Sequence, residues 1–260
     1  VNDSETQRSL GLKKIVGAAI AAVQSPLVWV PLVILASLTL FFRLTDADVN
    51  WVGRFYVPGD VENGRFPWKD QQPWLFLYNW GVYPAWIVGC GGLALWVISF
   101  CWRELEPWRD EGLFYFLLLL LGPGLLVNGI LKPSWGRPRP RAVAPLGGPR
   151  HFVPILQMSN ERGPADVSFP SGHATMGFYL MAPFFVYWRR QRYWAVAFLL
   201  FGLMSGLTIG LARVVAGGHF PSDVLWAGGV IYFSGLLISW PFHFGDTTPP
   251  RWKREKCDGK

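Results

Sequence analysis

Six stretches of this chain are long, apolar and free of Asp, Glu, Lys and Arg: residues 25–42, 81–101, 113–131, 172–188, 193–211 and 224–244. A helix needs about 20 predominantly apolar residues to cross a hydrocarbon core of roughly 30 Å, so stretches of this size read as transmembrane helices. A soluble helix of the same length shows a polar face, and these show none. The Gly, Ala and Ser content of the last three stretches suits helices that approach closely inside a membrane bundle. With 51% apolar residues overall and a mean hydropathy of +0.25, the expected fold is all-α. It is an integral membrane bundle of six transmembrane helices, with residues 1–260 forming one domain.

The chain is basic, with a formal charge of +7 and a pI near 9.5. Its Lys and Arg residues cluster beside the apolar stretches, which argues against nucleic acid as a partner and for a bilayer. The 15 Trp residues point the same way. Trp51, Trp68, Trp80, Trp102, Trp108, Trp135, Trp188 and Trp252 all fall near expected span ends, as in interfacial aromatic belts. Between residues 51 and 80, aromatic residues including Phe55, Phe66, Trp74, Phe76 and Tyr78 alternate with charges, as suits a segment lying in the interface. The three cysteines, Cys90, Cys101 and Cys257, show no ligand-like spacing and make no disulfide framework. Residues 1–14 read as a basic flank with no signal peptide, and the first span as an uncleaved anchor.

Six spans put both termini on one side, together with the short connections 102–112 and 189–192. The longer connections 43–80, 132–171 and 212–223 share the other side. Of the 24 Lys and Arg residues, 13 lie on the terminal side. Lys132, Arg137, Arg139 and Arg213 belong to the polar motifs below, and without them the other side holds 7. The positive-inside rule then places the termini in the cytoplasm and the long connections outside it.

Three polar islands interrupt the apolar chain, all on that second side. Residues 132–140 read Lys-Pro-Ser-Trp-Gly-Arg-Pro-Arg-Pro, residues 169–173 Phe-Pro-Ser-Gly-His, and residues 213–223 Arg-Val-Val-Ala-Gly-Gly-His-Phe-Pro-Ser-Asp. Ionisable groups this close to a membrane core are costly and point to a functional site. Lys132, Arg139 and Arg213, with Arg137 as a further candidate, concentrate positive charge, and guanidinium forks match phosphate oxygens. Pro170-Ser171-Gly172-His173 reads as a helix start, with Ser171 as N-cap and Gly172 allowing a ligand near the backbone. Helix N-termini bind anions through free N–H groups. No Gly-x-Ser-x-Gly elbow surrounds Ser171, so it reads as a binding residue rather than a nucleophile. His219 and Asp223 lie four apart at another helix start. A carboxylate behind one imidazole nitrogen fixes the tautomer and frees the other nitrogen, which marks His219 as the nucleophile.

These islands resemble the signature of the type 2 phosphatidic acid phosphatase family: Lys-x6-Arg-Pro, then Pro-Ser-Gly-His, then Ser-Arg-x5-His-x3-Asp. Lys132, Arg139 and Pro140 match the first motif, residues 170–173 the second, and Arg213, His219 and Asp223 the third. Ala212 stands where the family usually has Ser. The resemblance implies a six-helix membrane fold of the type 2 phosphatidic acid phosphatase/vanadium haloperoxidase-like class and an active site at the outer leaflet. The haloperoxidases share the motifs but bind vanadate and are soluble, so the spans argue against that alternative. It also implies phosphate held by Lys132, Arg139, Ser171, Gly172 and Arg213, with His173 as general acid and His219 as nucleophile beside Asp223. His151 and His243 lack such neighbours. No carboxylate cluster or Cys/His ligand set is visible, so catalysis is expected to need no metal or cofactor.

The substrate expected from the resemblance is a phospholipid or glycolipid phosphate, cleaved through a phosphohistidine at the periplasmic face of a bacterial inner membrane. Lipid A 1-phosphate leads. Undecaprenyl pyrophosphate and phosphatidylglycerophosphate are alternatives, and a phosphate or phospholipid transporter is the non-enzymatic one. A transporter needs the cations but not a poised nucleophile, so intact His173, His219 and Asp223 favour the enzyme.

Overall fold

The structure, a computed structural model, describes residues 25–59, 65–159, 167–242 and 244. The basic flank 1–14, His243 and the tail that carries Trp252 and Cys257 lie outside the described residues. Helix α1 (Pro26–Leu44) starts where Pro26 presets the first turn and Ser25 Oγ accepts from Leu27 N–H at 3.3 Å. A short α2 (Ala47–Gly53) follows. Helices α3 (Trp74–Trp80) and α4 (Tyr83–Ile98) form one apolar stretch, so the second span begins earlier than the sequence reading placed it.

The third stretch, Arg103–Trp135, joins α5 (Arg109–Leu119), a π-helix (Leu120–Leu131) and α6 (Lys132–Trp135). Pro123 has no N–H to donate inside this stretch, which breaks the α register, and Asn128 Nδ2 donates to the Pro123 carbonyl at 2.7 Å. Helices α7 (Gly172–Tyr179), α8 (Ala182–Tyr187), α9 (Arg192–Val215) and α10 (Pro221–Ser239) complete the described chain.

Among the described residues, five stretches are long and apolar enough to cross a membrane: α1, α3–α4, Arg103–Trp135, α9 and α10. The sixth expected span, 172–188, is divided between α7 and α8. Pro183 supplies no N–H for the Tyr179 carbonyl four residues back, and the helix breaks there. This segment is the most enclosed part of the bundle. Ala174, Tyr179, Met181 and Ala182 are inaccessible to solvent. A broken helix at this depth is tolerated because protein, not lipid, surrounds it. The periphery is the opposite: Val33, Ile34 and Leu40 of α1, Trp86 and Ile87 of α4, and Met204 and Leu207 of α9 are exposed. Such a continuous apolar exterior is the surface of a protein that uses lipid as solvent.

Glycines let the helices cross closely. A Cβ on Gly92 would lie 2.7 Å from the Gly112 carbonyl oxygen, which ties α4 to α5. One on Gly177 would lie 2.8 Å from Gly206 Cα, which ties α7 to α9. These crossings bring one set of helix ends together: α2, the start of α3, α6, the start of α7, the end of α9 and the start of α10. All three polar islands belong to that end.

Candidate active site

Charge enters the site from helix ends. Lys132 sits where the π-helix passes into α6, and its Nζ donates to Asn128 Oδ1 at 2.9 Å. A Cβ on Gly172 would lie 2.9 Å from Lys132 Nζ, so the ammonium sits directly against the first turn of α7. Arg213 was expected in a connection but occupies the last turn of α9, where the helix dipole favours a cation. Its Nε and Ser171 Oγ are buried polar atoms with no hydrogen-bond partner among the described residues. Ser171 is the backbone N-cap of α7, yet its side chain makes no capping bond. A buried donor that gives up its hydrogen bond costs roughly 1–3 kcal/mol, and an acceptor oxygen entering the site would satisfy both of these groups.

His219 is 3% exposed between α9 and α10, and its ring differs in one respect from the sequence expectation. Nδ1 lies 2.6 Å from the Ser168 carbonyl oxygen and 3.9 Å from Asp223 Oδ2. The longer distance is no hydrogen bond. A carbonyl only accepts, so Nδ1 carries the proton and the neutral ring presents an unprotonated Nε2. The backbone of Ser168 thus fixes the tautomer, and Asp223 acts on the ring as a nearby charge. Burial pushes the His219 pKa down to about 4; Asp223 opposes this, and the nearby Arg213 and Arg139 reinforce it.

Asp223 is the N3 residue of α10, and its Oδ2 accepts from the Phe220 N–H at 2.8 Å. Its Oδ1 accepts from Arg137 Nη1 at 2.6 Å. Here a sequence expectation is corrected: Arg137, a candidate phosphate ligand, is fully buried and its nitrogens are committed to protein groups. Nε donates to the Val153 carbonyl, Nη1 also reaches Ser222 Oγ, and Nη2 pairs with Asp48 Oδ2 at 2.8 Å. Asp48 in turn accepts from Ser222 N–H at 3.0 Å and from Ser222 Oγ at 2.5 Å. The result is a carboxylate–guanidinium–carboxylate array clamping the first turn of α10. Burial raises the Asp48 pKa, with Arg137 opposing. For Arg137 burial acts downward, but the two carboxylates outweigh it and hold the guanidinium charged.

His173 stands on the first turn of α7, its ring stacked on Tyr78 of α3 at 4.9 Å and 16°. The Arg213 guanidinium carbon lies 4.4 Å from the centroid of the same tyrosine ring. Arg139 Nε reaches toward the Val167 carbonyl at 3.4 Å. The structure therefore gathers Lys132, Arg139, Ser171, Gly172, His173, Arg213, His219 and Asp223 at one end of the bundle, and sets Arg137 behind them. Sequence reasoning missed Asp48, Tyr78, Asn128, Ser168 and Ser222 as parts of the site. Asn128 was detectable as a polar residue one helical turn before Lys132. For Asp48 no local signal existed.

Comparison with known proteins identifies relatives of this chain. The family model described as PAP2 superfamily matches residues 112–246. The chain is 38% identical over 131 residues to the lipid A 4'-phosphatase of Francisella tularensis subsp. novicida, an alignment covering 50% of this chain and 58% of that protein. It is 36% identical over 211 residues to the lipid A 4'-phosphatase of Rhizobium etli, covering 76% of this chain and 75% of that one. It is 36% identical over 111 residues to the lipid A 1-phosphatase of Rhizobium johnstonii, covering 43% and 40%. No solved structure matches the chain.

Proposed function

The chain belongs to the PAP2 superfamily, and from that membership we propose that this membrane lipid phosphatase removes a phosphate monoester from lipid A, the 4'-phosphate first, through a phosphohistidine. The observation that carries the chemistry is the Ser168 carbonyl holding Nδ1–H of a buried His219, which leaves Nε2 free to attack. Lys132, Arg139, Arg213, Ser171 Oγ and the first N–H groups of α7 hold the phosphate oxygens. His219 Nε2 bonds to phosphorus, the bond from phosphorus to the sugar oxygen breaks, and His173 gives that oxygen a proton. Water then attacks phosphorus, the bond to Nε2 breaks, both protons of the water leave with inorganic phosphate as dihydrogen phosphate, and His173 regains its proton from solvent. The basic side chains stabilise the charge on the equatorial oxygens.

The 4' preference rests on likeness to relatives over three quarters of the chain; the lipid A 1-phosphatases align over 43% and supply the second reading. Purified enzyme given bis-phosphorylated lipid A is expected to release one phosphate, and mass spectrometry of the fragments identifies the position lost. Loss of the 1-phosphate instead would select the second reading. Preference for undecaprenyl pyrophosphate or phosphatidylglycerophosphate over lipid A would reject both.

The distribution of basic residues supports an inner-membrane protein with cytoplasmic termini and a periplasmic site. Met158 is 57% exposed in the long connection at the site end. In cells with a permeable outer membrane, Met158→Cys is expected to react with a membrane-impermeant maleimide while Cys257 reacts only after the inner membrane is opened. The opposite pattern would place the substrate in the cytoplasmic leaflet.

A further inference from the structure

The Tyr78 ring touches two groups of the site at once, and no motif accounts for it. It lies outside residues 112–246, which the family model matches, and it comes from α3, ahead of every polar island. Tyr78 is 42% exposed, so it is not a core filler held by close packing on all sides. One contact is the near-parallel stack on His173, the other the Arg213 guanidinium. An imidazole on the first turn of a helix rotates about its side-chain bonds unless a flat surface limits it. A guanidinium near an aromatic face is attracted by the ring quadrupole.

Building on the reading in which His173 protonates the leaving oxygen, we propose that Tyr78 is a positioning residue. Its aromatic face sets the plane of the His173 ring for proton transfer and seats Arg213 against the phosphate. Proton transfer is directional, and a misplacement of about 1 Å costs on the order of 10²-fold in rate. The ring face, not the hydroxyl, supplies both contacts. Phenylalanine therefore keeps the function, and a non-aromatic side chain of similar size loses it.

The test compares two substrates, a lipid monophosphate with an alkoxide leaving group and p-nitrophenyl phosphate, whose leaving group needs little help from an acid. Tyr78→Phe is expected to stay within about 3-fold of wild type on both, because the stacking face is retained. Tyr78→Leu is expected to lose on the order of 10²-fold in kcat on the lipid and less than about 5-fold on the aryl phosphate. KM should rise on both through Arg213. Tyr78→Gln carries the same prediction should the leucine variant not accumulate. Equal kcat losses on the two substrates, wild-type kinetics in Tyr78→Leu, or equal damage in Tyr78→Phe each overturn the proposal. His173→Ala, run on the same pair, separates the two claims. If it shows the leaving-group dependence and Tyr78→Leu does not, only the role of Tyr78 falls. If His173→Ala damages both substrates equally, the general-acid reading falls and takes the Tyr78 proposal with it.

Discussion

His219→Ala is expected to lower turnover on the order of 10⁴- to 10⁶-fold on every substrate, alkyl or aryl, because in the proposed mechanism the missing nitrogen forms the bond to phosphorus. Lys132, Arg213 and Ser171, the groups proposed to bind phosphate, remain in place, so binding of inorganic phosphate or vanadate should survive in the variant. The wild-type ring is buried and its pKa lies at about 4, so it stays neutral and nucleophilic at pH 6, where an ordinary histidine is largely protonated. The folded-state value is below the unfolded one, so the unfolded chain binds the extra proton between about pH 4 and pH 6.5. Stability must therefore rise with pH through that window and level off above it. His219→Ala removes this contribution, and thermal unfolding in detergent at pH 5 and pH 7 should differ less in the variant than in wild type. Substantial turnover by His219→Ala would falsify the nucleophile assignment, and a covalent phosphate trapped on any other residue would replace it.

The second large effect is expected at Arg137. Its guanidinium lies between Asp48 and Asp223, and all three side chains are fully buried. Removing the cation leaves two carboxylates facing each other through Ser222 without water, and breaking a buried pair from one side costs roughly 3–5 kcal/mol. Arg137→Ala should therefore lower the unfolding temperature and, because Asp223 loses its anchor beside His219, lower kcat as well. Arg137→Lys places one ammonium where two forks are needed and should recover only part of either. Asp48→Asn is the informative partner. It removes one carboxylate charge, so the double variant Arg137→Ala/Asp48→Asn should lose less stability than the two single losses added together. Strict additivity, or a wild-type unfolding temperature in Arg137→Ala, would show that the array does not act as a unit.

These two residues also mark where sequence reasoning succeeds and where it stops. His219 and Asp223 sit four apart at a helix start, and the chemistry of that spacing is local enough to recognise on the page. The same spacing suggested that Asp223 holds one imidazole nitrogen and fixes the tautomer, and the structure gives that role to the Ser168 carbonyl at Nδ1, 51 residues away. Arg137 looked like a phosphate ligand because it stands between Lys132 and Arg139 in one basic run. In space the chain turns at Gly136, which has φ +62°, and the Arg137 side chain enters the protein while its neighbours face the site. The spans were legible wherever an apolar run continued. The break between α7 and α8 was not marked, although Pro183 was its visible cause.

The sequence by itself determined that this chain lives in a bilayer, which of its ends carry charge, and that three islands at one end hold the basic and histidine side chains of the candidate site. Each of those properties is set over a few to about twenty neighbouring residues: a length of apolar chain, a helix start, a spacing of four. Only the tertiary structure decided that Asp48 clamps Ser222 across 174 residues, that a backbone carbonyl selects the His219 tautomer, and that Tyr78 stacks on His173. Those contacts depend on how closely glycine-lined helices cross and where a broken helix ends, and such distances arise only when the whole bundle packs.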